Sequence, residues 1–166
     1  QMLRLLDYLK CLPVNISIID KIEADDTIAY LSQKLKDDVI IYSADQDFLQ
    51  LVNDRITVYS PIKKKFYKPN DVYEQYGMHP YNFITMKCLM GDKSDNLPGV
   101  KGLGPKKLIK YFPEIAGEKR FTLQEAYQKA TDKVEEHGIY GNVHLFKSQL
   151  EINYELMSLE NIQLLD

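Results

Sequence analysis

The chain is poor in several features that commonly declare a function. It has only two cysteines, Cys11 and Cys88, far apart and in apolar surroundings. That argues against a disulfide and reads as a pair of reduced core thiols in a cytosolic protein. The three histidines, His79, His137 and His144, show no ligand spacing. No serine or cysteine nucleophile pattern stands out. No apolar run approaches the length needed to span a bilayer, and the opening residues lack the charged and apolar regions of a signal peptide, so the expectation is a soluble, cytoplasmic protein. Internal repeats, low-complexity segments and a clear linker are also missing. So is a basic excess: the formal net charge is −3, which by itself argues against a general polyanion binder.

What is present is an apolar content of 45% in 166 residues, enough for one domain or a domain and a half. The acidic residues are unevenly spread. Without the seven carboxylates Glu23, Asp25, Asp26, Asp45, Asp47, Asp92 and Asp95, the 21 basic residues outnumber the remaining acidic ones by four. A metal-neutralised acidic set would therefore leave a mildly basic protein, which weakens the objection to a nucleic-acid partner.

Periodicity predicts the elements. Leucines at 3, 5, 6, 9 and 12 fit an amphipathic helix ending before Pro13. Val14 to Ile19 alternates apolar and polar residues and reads as a strand. Ala24, Ile28, Leu31 and Leu35 recur at helical spacing, and Val39 to Tyr42 reads as a short buried strand. Phe48 to Val52 follows as a short helix. This alternation predicts an α/β layer with a parallel sheet. Arg55 to Ser60 and Lys65 to Lys68 then read as a hairpin turning at Pro61 to Lys64. Beyond Pro69 the chain reads as helical: Asn70 to Tyr76 stopped by Gly77, Pro80 to Met90 stopped by Gly91, a helix opened by Thr122 and Glu125 and running to about Glu136, and a last helix from Asn142 to about Leu156.

The chemistry lies in three acidic clusters. Loops leaving the carboxyl ends of parallel strands share one edge, where ligands bind. Glu23, Asp25 and Asp26 follow the first predicted strand, and Asp45 and Asp47 follow the second. Both are expected to face one crevice. Close carboxylate pairs repel by roughly 1 to 4 kcal/mol at protein-surface dielectrics, and hard divalent ions offset that repulsion. Carboxylate ligation without His or Cys suits magnesium or manganese, and a set this large suits two ions sharing one phosphate. Each cluster alone has a plainer reading. Glu23-Ala-Asp-Asp serves a helix dipole, Asp45-Gln46-Asp47 a helix cap, and Gly91 to Asn96 a turn.

The third cluster runs into Gly102-Leu103-Gly104, whose bare amides permit a tight turn, and then Pro105 as a first helical residue. Lys106 and Lys107 in that helix's first turn oppose its macrodipole, a conflict that a nucleic-acid phosphate resolves, the plainer reading being a surface helix that tolerates both at a cost below about 1 kcal/mol. Lys101 and Lys110 either extend the basic strip or are merely solvated. Lys63, Lys64 and Lys65 beside Phe66 and Tyr67 serve either single-stranded nucleic acid or a lysine-protected sheet edge.

From about Pro13 to Phe112 the sequence resembles the 5′-3′ exonucleases and flap endonucleases, especially the bacteriophage type. The resemblance rests on Ile-Glu-Ala-Asp-Asp-Thr-Ile-Ala (22–29), Tyr-Ser-Ala-Asp-Gln-Asp-Phe-Leu-Gln-Leu (42–51), Ser-Pro-Ile-Lys-Lys-Lys-Phe (60–66) and Met-Gly-Asp-Lys-Ser-Asp-Asn-Leu-Pro-Gly-Val-Lys-Gly-Leu-Gly-Pro-Lys-Lys (90–107), in matching order and spacing. It implies a parallel-sheet, resolvase/PIN-like nuclease core over residues 2–68, followed by a helical region over 69–166 with a helix-three-turn-helix at about 92–112. It implies that the seven carboxylates bind two Mg2+ or Mn2+ ions, with Asp25, Asp45 and Asp47 as the catalytic members. Lys101, Gly102, Gly104, Lys106, Lys107 and Lys110 would hold duplex DNA, with K+ on the backbone carbonyls there. The implied activity is metal-dependent hydrolysis at 5′ flaps or 5′ ends, in a host cytoplasm if phage-encoded.

One departure accompanies the resemblance. Family members open with an aspartate-bearing strand, a second aspartate and a basic helical arch, none of which is found ahead of Met2 here. The expectation is therefore a nuclease completed by an amino-terminal part outside this chain, such as a separate polypeptide. The alternatives are a DNA-junction binder that does not cut and a nuclease directed at RNA primers in RNA–DNA hybrids.

Overall fold

The computed structural model describes residues 2–160 and 162, leaving aside the side chains of Met2 and Leu3. A three-stranded sheet carries β1 (Val39–Tyr42), β2 (Ile56–Ser60) and β3 (Lys65–Tyr67) in the order β1-β2-β3. β1 pairs parallel with β2, Val39 opposite Ile56 and Tyr42 opposite Tyr59, while β2 and β3 form an antiparallel hairpin with Val58 opposite Tyr67. β2 lies in the middle, and its alternate residues Ile56, Val58 and Ser60 are buried, as a pleated strand with one covered face requires.

Eight helices surround or follow the sheet among the described residues: α1 (Met2–Leu9), α2 (Ala24–Lys34), α3 (Pro69–Tyr76), α4 (Phe83–Met90), α5 (Pro105–Tyr111), α6 (Leu123–Asp132), α7 (Gly138–Leu145) and α8 (Lys147–Met157). Two large hydrophobic clusters result, with a small third one of Ile84, Cys88 and Met157. The sheet cluster gathers Ala29, Ile41, Phe48, Leu49, Ile56 and Val58, with Val72, Phe83 and Leu159 contributed by later chain. The helical cluster gathers Leu89, Val100, Leu103, Leu108, Phe112, Phe121, Val143 and Leu150. Tyr76 and Met86 pack against both, so α3 and α4 form the seam. The buried Gln50 fastens the far end of the chain to the sheet, donating to Met157 O and accepting from Leu159 N.

The mixed α/β class agrees with the sequence, and several local expectations need correcting. Residues 14–19 form no strand. They have no ladder partner among the described residues, and Val14, Ile16, Ile18 and Ile19 are all exposed, so a two-residue period alone does not make a sheet. The parallel pair is instead β1 with β2. β1 is less buried than expected: Ile41 points into the core, whereas Ile40 and Tyr42 are exposed. The helix opened by Thr122 ends at Asp132, where Lys133 leaves helical dihedrals. The segment expected as one helix from 142 to 156 is two, broken at Phe146, which turns the chain while packing against the helical cluster. Cys88 is buried, but Cys11 is an exposed thiol and no core residue.

Candidate metal centre

α4 and the loop after it build the site. The loop doubles back as a tight hairpin: Asp92 N–H donates to Leu97 O at 2.9 Å and Leu97 N–H to Asp92 O at 2.8 Å. Its base closes because Gly91 and Gly99 lie backbone to backbone. A Cβ on Gly99 would stand 2.0 Å from Met90 O, and Gly91 has a φ of +73° that L side chains rarely adopt. Asn153 of α8, fully buried, holds both arms by donating to Cys88 O at 3.0 Å and Pro98 O at 2.9 Å.

Opposite this hairpin, the turn after β1 presents a second set of groups. Ser43 Oγ accepts from Asp45 N, Asp45 Oδ1 accepts from Asp47 N at 2.9 Å, and Gln46 Oε1 accepts from the Tyr76 hydroxyl at 2.8 Å. These local bonds set the direction in which Asp47 enters the space between β1 and α4. One carboxylate oxygen from each of Asp47, Asp92 and Asp95 comes within 4.8 Å of the others. Asp45 lines the same cavity, of about 450 Å³, as do Tyr76 and Lys87.

Lys87 is the residue that sequence reasoning missed. It is only 8% exposed, and its ammonium donates to Asp47 Oδ1 and, at 2.8 Å, to Asp92 Oδ2. The hydrogen bonds from Lys87 and from the Ser94 hydroxyl and amide hold the Asp92 carboxyl well below the usual carboxylate range. Burial pushes Asp47 upward despite the same cation. The two carboxylates outweigh the effect of burial on Lys87 and raise its pKa, keeping it charged. A signal for it existed: it is the lone charge in the apolar run Phe83-Ile-Thr-Met-Lys-Cys-Leu-Met. Tyr76 and Asn153 were also missed, since neither is marked by any local pattern.

The remaining predicted residues lie elsewhere. Glu23 caps α2 without a side-chain bond, and Asp25 and Asp26 occupy its first turn. Burial and then the neighbouring Asp25 raise the Asp26 pKa. None of the three lines the cavity shared by Asp45, Asp47, Asp92 and Asp95. A larger cavity of about 600 Å³, between α6 and α8, contains Arg120, Lys147 and the single carboxylate Glu151, so its chemistry differs.

After the acidic hairpin, Gly102 turns the chain at a φ of +78° and Gly104 caps α5. Leu103 and Leu108 are buried, which anchors the turn and leaves Lys101, Lys106, Lys107 and Lys110 exposed. Asn142 of α7 donates to Lys101 O at 2.9 Å. None of these four lysines takes part in an ion pair among the described residues. On the β2–β3 turn, Lys63 and Lys65 lie over the Tyr67 ring, and Lys65 also pairs with Asp71.

The donor set fits a hard divalent ion: oxygen ligands only, converging from two elements, with no His or Cys.

Residues 1–77 match the family model described as the 5′-3′ exonuclease, N-terminal resolvase-like domain. Among curated proteins, the chain is 36% identical to DNA polymerase I of Bacillus subtilis over 148 residues, covering 85% of this chain and 16% of that protein. It is 32% identical to a 5′-3′ exonuclease of Aquifex aeolicus over 141 residues, covering 82% of this chain and 45% of the relative. The chain thus spans less than half the length of either. Among solved structures, a mutant of the T5 5′-exonuclease superposes with a TM-score of 0.74 at 26% identity, covering 93% of this chain and 65% of that one. A bacteriophage T5 flap endonuclease in a pseudo-enzyme-product complex with DNA and metal ions superposes with a TM-score of 0.74 at 25% identity, covering 93% and 56%.

Proposed function

We propose that this chain, matched over residues 1–77 by the 5′-3′ exonuclease family, is a structure-specific 5′ nuclease that hydrolyses DNA phosphodiesters with divalent metal ions. The observation that carries the proposal is the convergence of Asp47, Asp92 and Asp95 on one point from two separate elements. A bound divalent ion supplies a water acidic enough to attack at neutral pH and a counter-charge for the phosphate. The protein's own part is to aim the carboxylates, through the Asp45 and Ser43 turn on one side and the Asn153-clamped hairpin on the other. The exposed strip of Lys101, Lys106, Lys107 and Lys110, with the bare turn at Gly102 and Gly104, binds the duplex backbone and can take a potassium ion on its carbonyls.

In this reading the sheet region of residues 2–68 is the nuclease core and residues 69–166 are the duplex-holding part. The helical cluster, whose buried members all lie between Met78 and Leu150, supports that division, while Val72, Phe83 and Leu159 of the later part pack into the sheet cluster. Glu23, Asp25 and Asp26 then hold a second ion from the α2 side, with Asp25, Asp45 and Asp47 taking part in the chemistry. A further segment covering β1 belongs to the same proposal, supported by the open edge of that strand and the exposed Ile40 and Tyr42. A second reading, a junction binder that does not cut, is favoured by one observation: Glu23, Asp25 and Asp26 do not line the cavity of the other four.

Asp47→Asn tests the assignment. Calorimetry is expected to show Mn2+ affinity falling at least about tenfold, while duplex binding without metal is retained and cutting of a 5′-flap duplex in Mg2+ is lost. Unchanged Mn2+ affinity would remove Asp47 from the site. Asp25→Asn in the same assay tests the second ion, which is expected to lose its binding step.

A further inference from the structure

Lys87 has no part in the chemistry just described, yet it occupies the centre of the acidic cluster. Its ammonium bonds to two of the three converging carboxylates, and its residue is only 8% exposed. It is held there from α4, which is packed between both hydrophobic clusters through Met86 and Leu89, so the base of its side chain is fixed. Asp92 Oδ1 is occupied by Ser94, and Lys87 takes Asp92 Oδ2 and Asp47 Oδ1. An ion entering among Asp47, Asp92 and Asp95 therefore meets oxygens already bonded to a like charge.

We infer that Lys87 is an internal counter-cation: it stands in the cation position between Asp47 and Asp92 in the metal-free protein and gives up those oxygens when a divalent ion binds. The inference rests on the metal reading above and adds an exchange to it. Metal-free, the lysine prevents repulsion among half-buried carboxylates and keeps the site assembled. Metal-loaded, it is displaced within the same cavity, where a phosphate oxygen is a fitting new partner for the freed ammonium. A purely structural ion pair would act in the opposite sense, because removing it would let the carboxylates splay and weaken metal binding. The sign of the change in metal affinity separates the two.

The experiment compares the full chain with Lys87→Met, Lys87→Gln and Lys87→Arg. Mn2+ affinity is measured by calorimetry, and melting temperature is measured in chelator and in Mn2+. Both neutral variants are expected to bind Mn2+ about tenfold more tightly than wild type, melt lower in chelator, and gain more from the ion. Lys87→Arg is expected to bind Mn2+ no more tightly than wild type. Neutral variants that bind Mn2+ as wild type does, or more weakly, overturn the inference. Should both neutral variants fail to fold, wild type decides alone: the lysine ammonium NMR signal lost in Lys87→Arg is expected to shift on saturation with Mg2+, and an unmoved signal overturns the inference. Wild type that binds no Mn2+ removes the metal reading itself. Wild type that binds Mn2+ while the neutral variants bind it no tighter removes only the exchange.

Discussion

At the scale of single residues, the two cysteines divide as their surroundings dictate. Cys88 is fully buried on α4, packed beside Ile84 and Met157, and burial pushes its thiol up to about 12. The thiolate is the reactive form, so Cys88 is inert well above neutral pH. Cys11 is exposed and near the chain's start. A thiol reagent at pH 8 is expected to titrate one group quickly and the second only on unfolding, with Cys11→Ser abolishing the fast phase. Two thiols reacting at one rate would mean that the α4–α8 packing around Cys88 opens readily. The sequence suggested equal burial for both because each sits among apolar neighbours in the chain. Neighbours in sequence are a poor guide where a helix ends and turns out into solvent.

At the scale of elements, the acidic hairpin depends on two backbones touching. Gly99→Ala would drive a Cβ to 2.0 Å from Met90 O and 2.8 Å from Gly91 N. Backbone cannot yield as a flexible side chain does, so the loss is expected at the upper end of the roughly 1–3 kcal/mol typical of overpacking, read by urea denaturation. Mn2+ affinity should fall with it, because Asp92 and Asp95 ride on the displaced loop. Gly104→Ala is the contrast: nothing lies within 4 Å of its Cβ, and its φ of −105° is ordinary. Equal losses at the two glycines would contradict the close approach. Local signals announced much of this region: Gly77 and Gly91 end helices as read, and Thr122 with Glu125 forms the capping box. Invisible was anything set by distant chain, such as Asn153 clamping the hairpin from α8, or Lys87 reaching Asp47 across 40 residues. Spacing grouped Asp92 with Asp95 and the family resemblance added Asp47, which the fold brings to them, whereas Glu23, Asp25 and Asp26 of the same expected set stay outside that cavity.

At the scale of the whole molecule, a net charge of −3 conceals a division of labour. Carboxylates gather at the hairpin between α4 and α5, and uncompensated lysines follow within a few residues. The chain segment from Met90 to Tyr111 joins the two. Leu103 and Leu108 are buried beneath the lysines, and Asn142 holds the Lys101 carbonyl, so the strip rests on a fixed base. Exposed lysines without ion partners contribute little to folding, and surface substitutions of this kind usually change stability by within about 0.5 kcal/mol. Any loss of DNA binding on their removal is therefore a loss of contact. Lys106→Ala combined with Lys107→Ala is expected to weaken binding to duplexes of unrelated sequence alike, and to flatten the dependence of log affinity on log salt by about two units, one for each phosphate contact removed. Lys133→Ala, whose ammonium is occupied by Glu136, should leave both quantities unchanged. A double variant whose salt slope matches wild type would assign the duplex to another face of the molecule, and the lysine-bearing turn at residues 63–65 would be the next to test.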